Sequence, residues 1–171
     1  GGIKKYQWTA IPLSLHGRVA RKDGTMVDIC LGEKEDDPIF VITDLLIHLA
    51  GEQMGKKATE VVTGENLDLL IGNIPLEKDS DTSKEEKETI KANVLKLLAD
   101  QYGIDEEDFQ SAELEIVPAG KARDCGFDRS MVLSYGQDDR ICAFTSLFAM
   151  LEAENLKKTG VCLLVDKEEI G

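Results

Sequence analysis

The sequence predicts an α+β fold: a β-rich domain with short helices over residues 1–117, followed by part of an α/β domain over residues 118–171. Three observations carry this reading. Alternating apolar and polar residues flank a turn signal at Asp23-Gly24, the pattern of a β-hairpin. One stretch with helical apolar spacing runs from Ser83 to Gly103. After Pro118 the pattern becomes short strand, helix and uninterrupted apolar run, the order of a βαβ unit.

Each element follows in order. Residues 6–20 (YQWTAIPLSLHGRVA) and 25–31 alternate on either side of Arg21-Lys22-Asp23-Gly24, giving the two hairpin strands. Residues 33–37 form a charged loop that Pro38 ends. Residues 39–54 are mostly apolar, and Thr43 or Asp44 offers an N-cap for a short helix over 44–53. Two strand-like runs, 60–63 and 67–74, are punctuated by Gly64, Gly72 and Pro75. Ser83 and Glu86 have capping-box spacing, Ile90, Val94, Leu97 and Leu98 share a face, and Gly103 stops the helix. Residues 77–88 read as a solvated charged loop and first helical turn. Residues 105–109 read as a further helical turn, and 111–117 as a strand closed by Pro118. Beyond it, residues 121–129 read as surface charge and 130–135 as a strand. Ile141, Phe144, Leu147, Phe148 and Leu151 mark a helix ending near Lys158, and 161–165 (VCLLV) read as a strand covered on both faces.

An apolar fraction of 42% supports a buried core and excludes wholesale disorder. The net charge of −13 argues against nucleic acid or an anionic membrane surface as partner, because both require clustered Lys and Arg. No apolar run reaches the roughly 18 residues that span a bilayer. Cys30, Cys125, Cys142 and Cys162 form no C-x-x-C pair; Cys142 and Cys162 lie in apolar runs and read as small core residues. A reduced, cytoplasmic setting follows. The chain opens on Gly1-Gly2-Ile3 without Met and closes directly after an apolar run, so it reads as a fragment of something longer.

In a parallel βαβ unit both strands deliver their carboxyl ends to one sheet edge, where ligands bind. Asp138 follows the first strand; Asp166, Glu168 and Glu169 follow the second. Adjacent acids in a loop are ordinarily solvated. At a shared edge they are also candidate ligands for divalent cations, since one carboxylate can bridge two metals and a neighbour can take a proton from an acidified water. On the residues alone, His16 and His48 read as structural.

At this point the sequence resembles a known family. LLVDKEEIG (163–171), YGQDDRICAFTSL (135–147), GGIKKYQW (1–8) and FVITDLLIHLA (40–50) resemble, in order, segments of the aspartyl aminopeptidase / aminopeptidase I family, most nearly its bacterial members. The resemblance implies a metalloaminopeptidase that uses two divalent ions, zinc first, with cobalt or manganese as alternatives. It removes the N-terminal residue of a peptide substrate. Asp138 would bridge the metals, Glu168 would be the general base, and Glu169 would ligate one metal. Asp166 belongs to the motif without being a ligand. Residues 1–117 would be an assembly domain driving a homododecamer, and 118–171 part of the catalytic domain. His48 would reach a neighbouring subunit's active site and bind substrate. Gln137-Asp138-Asp139-Arg140 departs from the family's usual Leu-Asp-Asn. The family's early His ligand and its late Asp and His ligands have no counterpart here, so the segment alone would be inactive. Two other readings stand beside this one: a non-catalytic self-assembly module, and a related two-metal peptidase with a different inserted domain.

Overall fold

The Asp23-Gly24 signal does close a hairpin in a computed structural model, which describes residues 4–76 and 86–165. Strand β1 (Leu13–Ala20) pairs antiparallel with β2 (Met26–Leu31), Val19 opposite Val27 and Leu15 opposite Leu31. Gly24 takes φ +84°, which the tight turn needs and a Cβ would oppose. The first strand begins later than its alternation suggests, because Lys5–Trp8 forms a single helical turn, α1. The Trp8 indole donates to the Ile116 carbonyl at 3.4 Å and ties that turn to the sheet.

Before the sheet is completed, the chain makes a two-stranded pair, β3 (Val41–Ile42) with β4 (Leu69–Leu70). Between these strands lies a short helix α2 (Gly51–Met54), so the helix expected over 44–53 shrinks to one turn. Asp44 does not cap it, since its carboxylate is committed to Leu45 N–H and the Gln53 side chain. The strand expected over 60–63 is turn and bend, and the run from 67 yields only β4 and a preceding 3-10 turn, Gly64–Asn66. Helix α3 covers Glu86–Tyr102; the Ser83 capping position lies outside the described residues. Its end is as expected: Gly103 takes φ +62° and its N–H reaches the Ala99 carbonyl at 2.9 Å. The Arg21 guanidinium also bonds the Tyr102 carbonyl.

After a 3-10 turn (Glu107–Ser111), β5 (Ala112–Pro118) returns antiparallel to β1, giving the order β2-β1-β5. Alternation places Leu15, Val19, Val27, Ile29, Leu31, Ala112 and Leu114 on one face. There Val19, Ile29 and Ile104 form the buried cluster against which the others and Tyr102 pack. These residues belong to one compact unit, Lys4–Gly120; a second contains Lys121–Gly171.

In the second unit β6 (Arg123–Cys125) pairs antiparallel with β7 (Met131–Leu133). The charged segment 121–129, read as surface, thus contributes a strand. Helix α4 (Gln137–Leu151) follows and stops before the expected Lys158. The mixed α+β class with short helices holds. Residues 161–165 differ from their reading: they form no ladder, and among the described residues every strand pair is antiparallel, so no parallel neighbour is there to receive them. Cys142 is exposed and Cys162 intermediate, against the core positions expected of them: α4's apolar side is uncovered around Cys142, and 161–165 pairs with no described strand around Cys162. Among the described residues no helix is long and apolar enough to cross a membrane.

Candidate active site

Asp138 is the second residue of α4, three residues on from the start of the turn that leaves β7. Tyr135-Gly136 turns the chain, with Gly136 in the left-handed region at φ +74°. A Cβ at Gly136 would stand 2.3 Å from Arg140 Nη1, so glycine also makes room for that guanidinium. Arg140 Nη1 donates back to the Tyr135 carbonyl at 2.8 Å, and Gln137 Nε2 donates to the Val132 carbonyl at 3.2 Å. Asp138 (φ −89°, ψ 112°) and Asp139 (φ −117°, ψ 28°) leave the helical region, and the peptide bond between them is cis. The Asp138 side chain is exposed, at the start of α4, where helix amides and dipole favour a negative group. Sequence placed this carboxylate after a strand. The structure places it there too, beside a turn shaped by its neighbours' side chains.

Glu168, Glu169 and Asp166 lie outside the described residues. Among the described residues, no group of three or more His, Cys, Asp or Glu side chains converges on a possible metal position. Asp138 supplies the right donor chemistry, a hard carboxylate oxygen, but the described residues do not make a complete cage.

His48 sits in a turn over residues 47–49, exposed, among Leu46, Ile47 and Leu49, which are 67–70% exposed. The residues leading into the turn, Thr43 to Leu45, line a mixed polar and apolar cleft with Thr9, Gln53, Val61, Val62, Asn66 and Asp68. Asp44 Oδ1 accepts from Gln53 Nε2 at 2.9 Å and from Leu45 N–H at 2.8 Å. The Gln53 bond, then the Leu45 bond, hold its carboxyl below the usual carboxylate range. Asp44 looked like a helix cap in sequence; a bond to a glutamine nine residues on has no local signature.

His16 belongs elsewhere, on the polar face of β1. Its Nε2 lies 2.9 Å from Glu33 Oε1 and 3.2 Å from Ser14 Oγ. The trio superficially resembles a nucleophile relay. A relay engages the two ring nitrogens separately, one to the carboxylate and one to the hydroxyl. Here one nitrogen meets both groups, and Ser14 is fully buried and also bonds the Val117 carbonyl at 3.3 Å. The cluster fastens the Gly32–Asp37 loop to the sheet, consistent with the structural reading of His16.

Comparison with known proteins gives a consistent result. A family model described as aminopeptidase I zinc metalloprotease (M18) matches residues 1–171. A relative from Clostridium acetobutylicum, named "Probable M18 family aminopeptidase 1", is 61% identical over 171 residues, covering 100% of this chain and 36% of the relative. One of the same name from Thermotoga maritima is 53% identical over the same span, again 36% of its length. The chain thus spans about a third of the length of the curated relatives it matches. A solved M18 family aminopeptidase from Thermotoga maritima superposes with a TM-score of 0.79 at 53% identity, covering 92% of this chain and 33% of that one. A solved aminopeptidase I from Clostridium acetobutylicum gives 0.77 at 60% identity, covering 92% and 33%.

Proposed function

This chain belongs to the aminopeptidase I zinc metalloprotease family, and from that premise we propose that the protein carrying it is a two-metal aminopeptidase that hydrolyses the N-terminal residue from peptides. The observation that carries the reading is Asp138. It stands exposed on non-helical backbone at the start of α4, in a segment whose whole length matches the family.

On this reading Asp138 would be shared between the two ions and Glu169 would ligate one of them. Zinc is the first choice of ion, with cobalt or manganese as alternatives. When bound, such a pair acidifies water and polarises a carbonyl. Glu168 takes the proton from the attacking water and returns it to the departing amine as the C–N bond breaks. His48 acts across a subunit boundary, donating a hydrogen bond where negative charge develops on the substrate carbonyl oxygen. Residues 1–117 form the assembly domain of a homododecamer and residues 118–171 part of the catalytic domain, in a cytoplasmic enzyme. Exposed Leu46, Ile47 and Leu49 beside His48 support assembly, because an apolar turn of this kind suits a covered position.

The test is Glu168→Gln in the intact protein. It should retain zinc while hydrolysis of aminoacyl substrates falls by at least about 100-fold, the usual scale of a general base. Near-normal turnover would remove Glu168 from the mechanism. A self-assembly module without catalysis is the competing reading, and the same apolar turn favours it. It predicts an intact protein that oligomerises, binds no zinc and hydrolyses nothing.

A further inference from the structure

We propose that Asp44 and Gln53 are positioning residues for catalysis: together they clamp the turn that carries His48. This rests on the reading that His48 serves the active site.

The physical question is what holds that turn in shape. Burial does not: Leu45, Leu46, Ile47 and Leu49 are 55–70% exposed, and His48 itself is exposed. The turn's own backbone supplies two bonds, Leu49 N–H to Leu46 carbonyl at 2.8 Å and Ala50 N–H to Ile47 carbonyl at 3.3 Å. Its far end is anchored by Ala50, which is 3% exposed and leads into α2. Its near end is anchored by a polar network. Asp44 Oδ1 accepts from Leu45 N–H and Gln53 Nε2. The Gln53 amide nitrogen has two protons, and the second goes to the Val61 carbonyl at 3.2 Å. One glutamine therefore joins the entry of the turn, the helix after it and the segment at Val61. Without it, the entry of the turn would keep only the Asp44–Leu45 bond and lose its tie to α2 and to Val61.

A side chain that must meet a developing charge in a neighbouring subunit gains from such a clamp. A misplacement of about 1 Å can cost on the order of 100-fold in rate. The role is distinct from catalysis itself, since neither Asp44 nor Gln53 is required to touch substrate.

The experiment is a double-mutant cycle in the intact, zinc-loaded protein, with an aminoacyl anilide as the probe. Asp44→Ala should lower kcat about tenfold or more with His48 present, and less than about twofold in a His48→Phe background. Zinc content and oligomer size should stay unchanged. Asp44→Asn, whose Oδ1 can accept the same bonds, should retain most of the activity. If His48→Phe lowers kcat but Asp44→Ala does not, or lowers it equally in both backgrounds, the positioning role is overturned while the His48 reading survives. If His48→Phe is itself within about twofold of wild type, the His48 reading fails and the positioning role falls with it. Should Asp44→Ala not assemble, Gln53→Leu enters the same cycle with the same criteria.

Discussion

Gly17 sits mid-strand in β1, opposite Ile29 of β2 and Leu114 of β5, at the centre of the apolar face of the sheet. No turn explains a glycine there. A Cβ at this position would stand 2.0 Å from the Glu113 carbonyl oxygen and 2.9 Å from Leu114 Cα, both backbone atoms. An ordinary C···O contact is roughly 3.3 Å, so β5 would have to retreat by more than about 1 Å. That retreat stretches neighbouring N–H···O bonds beyond the roughly 3.2 Å at which they hold. Losing about three bonds at about 1 kcal/mol each, with about 1 kcal/mol for the φ of +146°, gives about 4 kcal/mol for Gly17→Ala. Gly24→Ala is the control: its φ is +84° but its Cβ would meet nothing within 4 Å, so only the dihedral cost of about 1 kcal/mol remains. Amide hydrogen exchange in the intact protein, read on peptides from β1 and β5, should show lost protection in Gly17→Ala alone. Thermal denaturation should rank the two variants in the same order. Equal effects from both substitutions would refute the close-approach argument.

Replacing Asp138 by Ala should weaken zinc binding by more than the roughly 10–100-fold typical of losing a group that merely supports a ligand; a zinc titration of the intact protein checks this, and unchanged affinity would exclude Asp138 as a ligand. Asp37 accepts backbone bonds from Lys34, Gly32 and Glu33, which hold its carboxyl below the ordinary range, the Lys34 bond most strongly. A depressed folded-state pKa contributes stability above the unfolded value and loses it as pH falls through the folded one. Exchange protection of these three amides should therefore stay level from pH 8 to about 5 and fall only below the usual carboxylate pKa of about 3.9. In Asp37→Ala it should be low throughout, and a loss centred near neutrality would refute the assignment.

Legibility in the sequence followed the range of the forces involved. The hairpin, the α3 stop at Gly103 and the strand before Pro118 depend on neighbours a few residues apart, and each could be read. The helix over 44–53 could not, because the Asp44 carboxylate that seemed free to cap it is bonded to Gln53, which in turn reaches Val61. The pairing of β1 with β5, from Leu13↔Pro118 to Val19↔Ala112, joins residues about a hundred positions apart and has no local sign. Asp138 was legible as a carboxylate after a strand. The Gly136–Arg140 arrangement that presents it became visible only with side chains in place.

The two units differ in what completes them, and this bears on the catalytic reading. In Lys4–Gly120, Leu13, Val19, Ile29, Ile42 and Ile104 are buried within the unit itself. From residue 121 onward, no described hydrophobic residue is buried. Phe144 and Phe148 stack on each other, with centroids 6.3 Å apart, yet are more than half exposed. Apolar area contributes about 25 cal/mol per Å² only once something covers it. Helix α4, which carries Asp138, therefore draws little stability from the described residues of this chain, which spans about a third of its relatives' length. A strand over 161–165 has the same requirement, since its ladder needs neighbours that the described residues do not offer. On the proposed reading, the rigidity of Asp138 would come from whatever covers α4, whereas the turn bearing His48 is held by bonds made inside its own unit. Substitutions on the exposed face of α4 should accordingly disturb metal binding, and substitutions at Asp44 should disturb turnover while leaving metal in place.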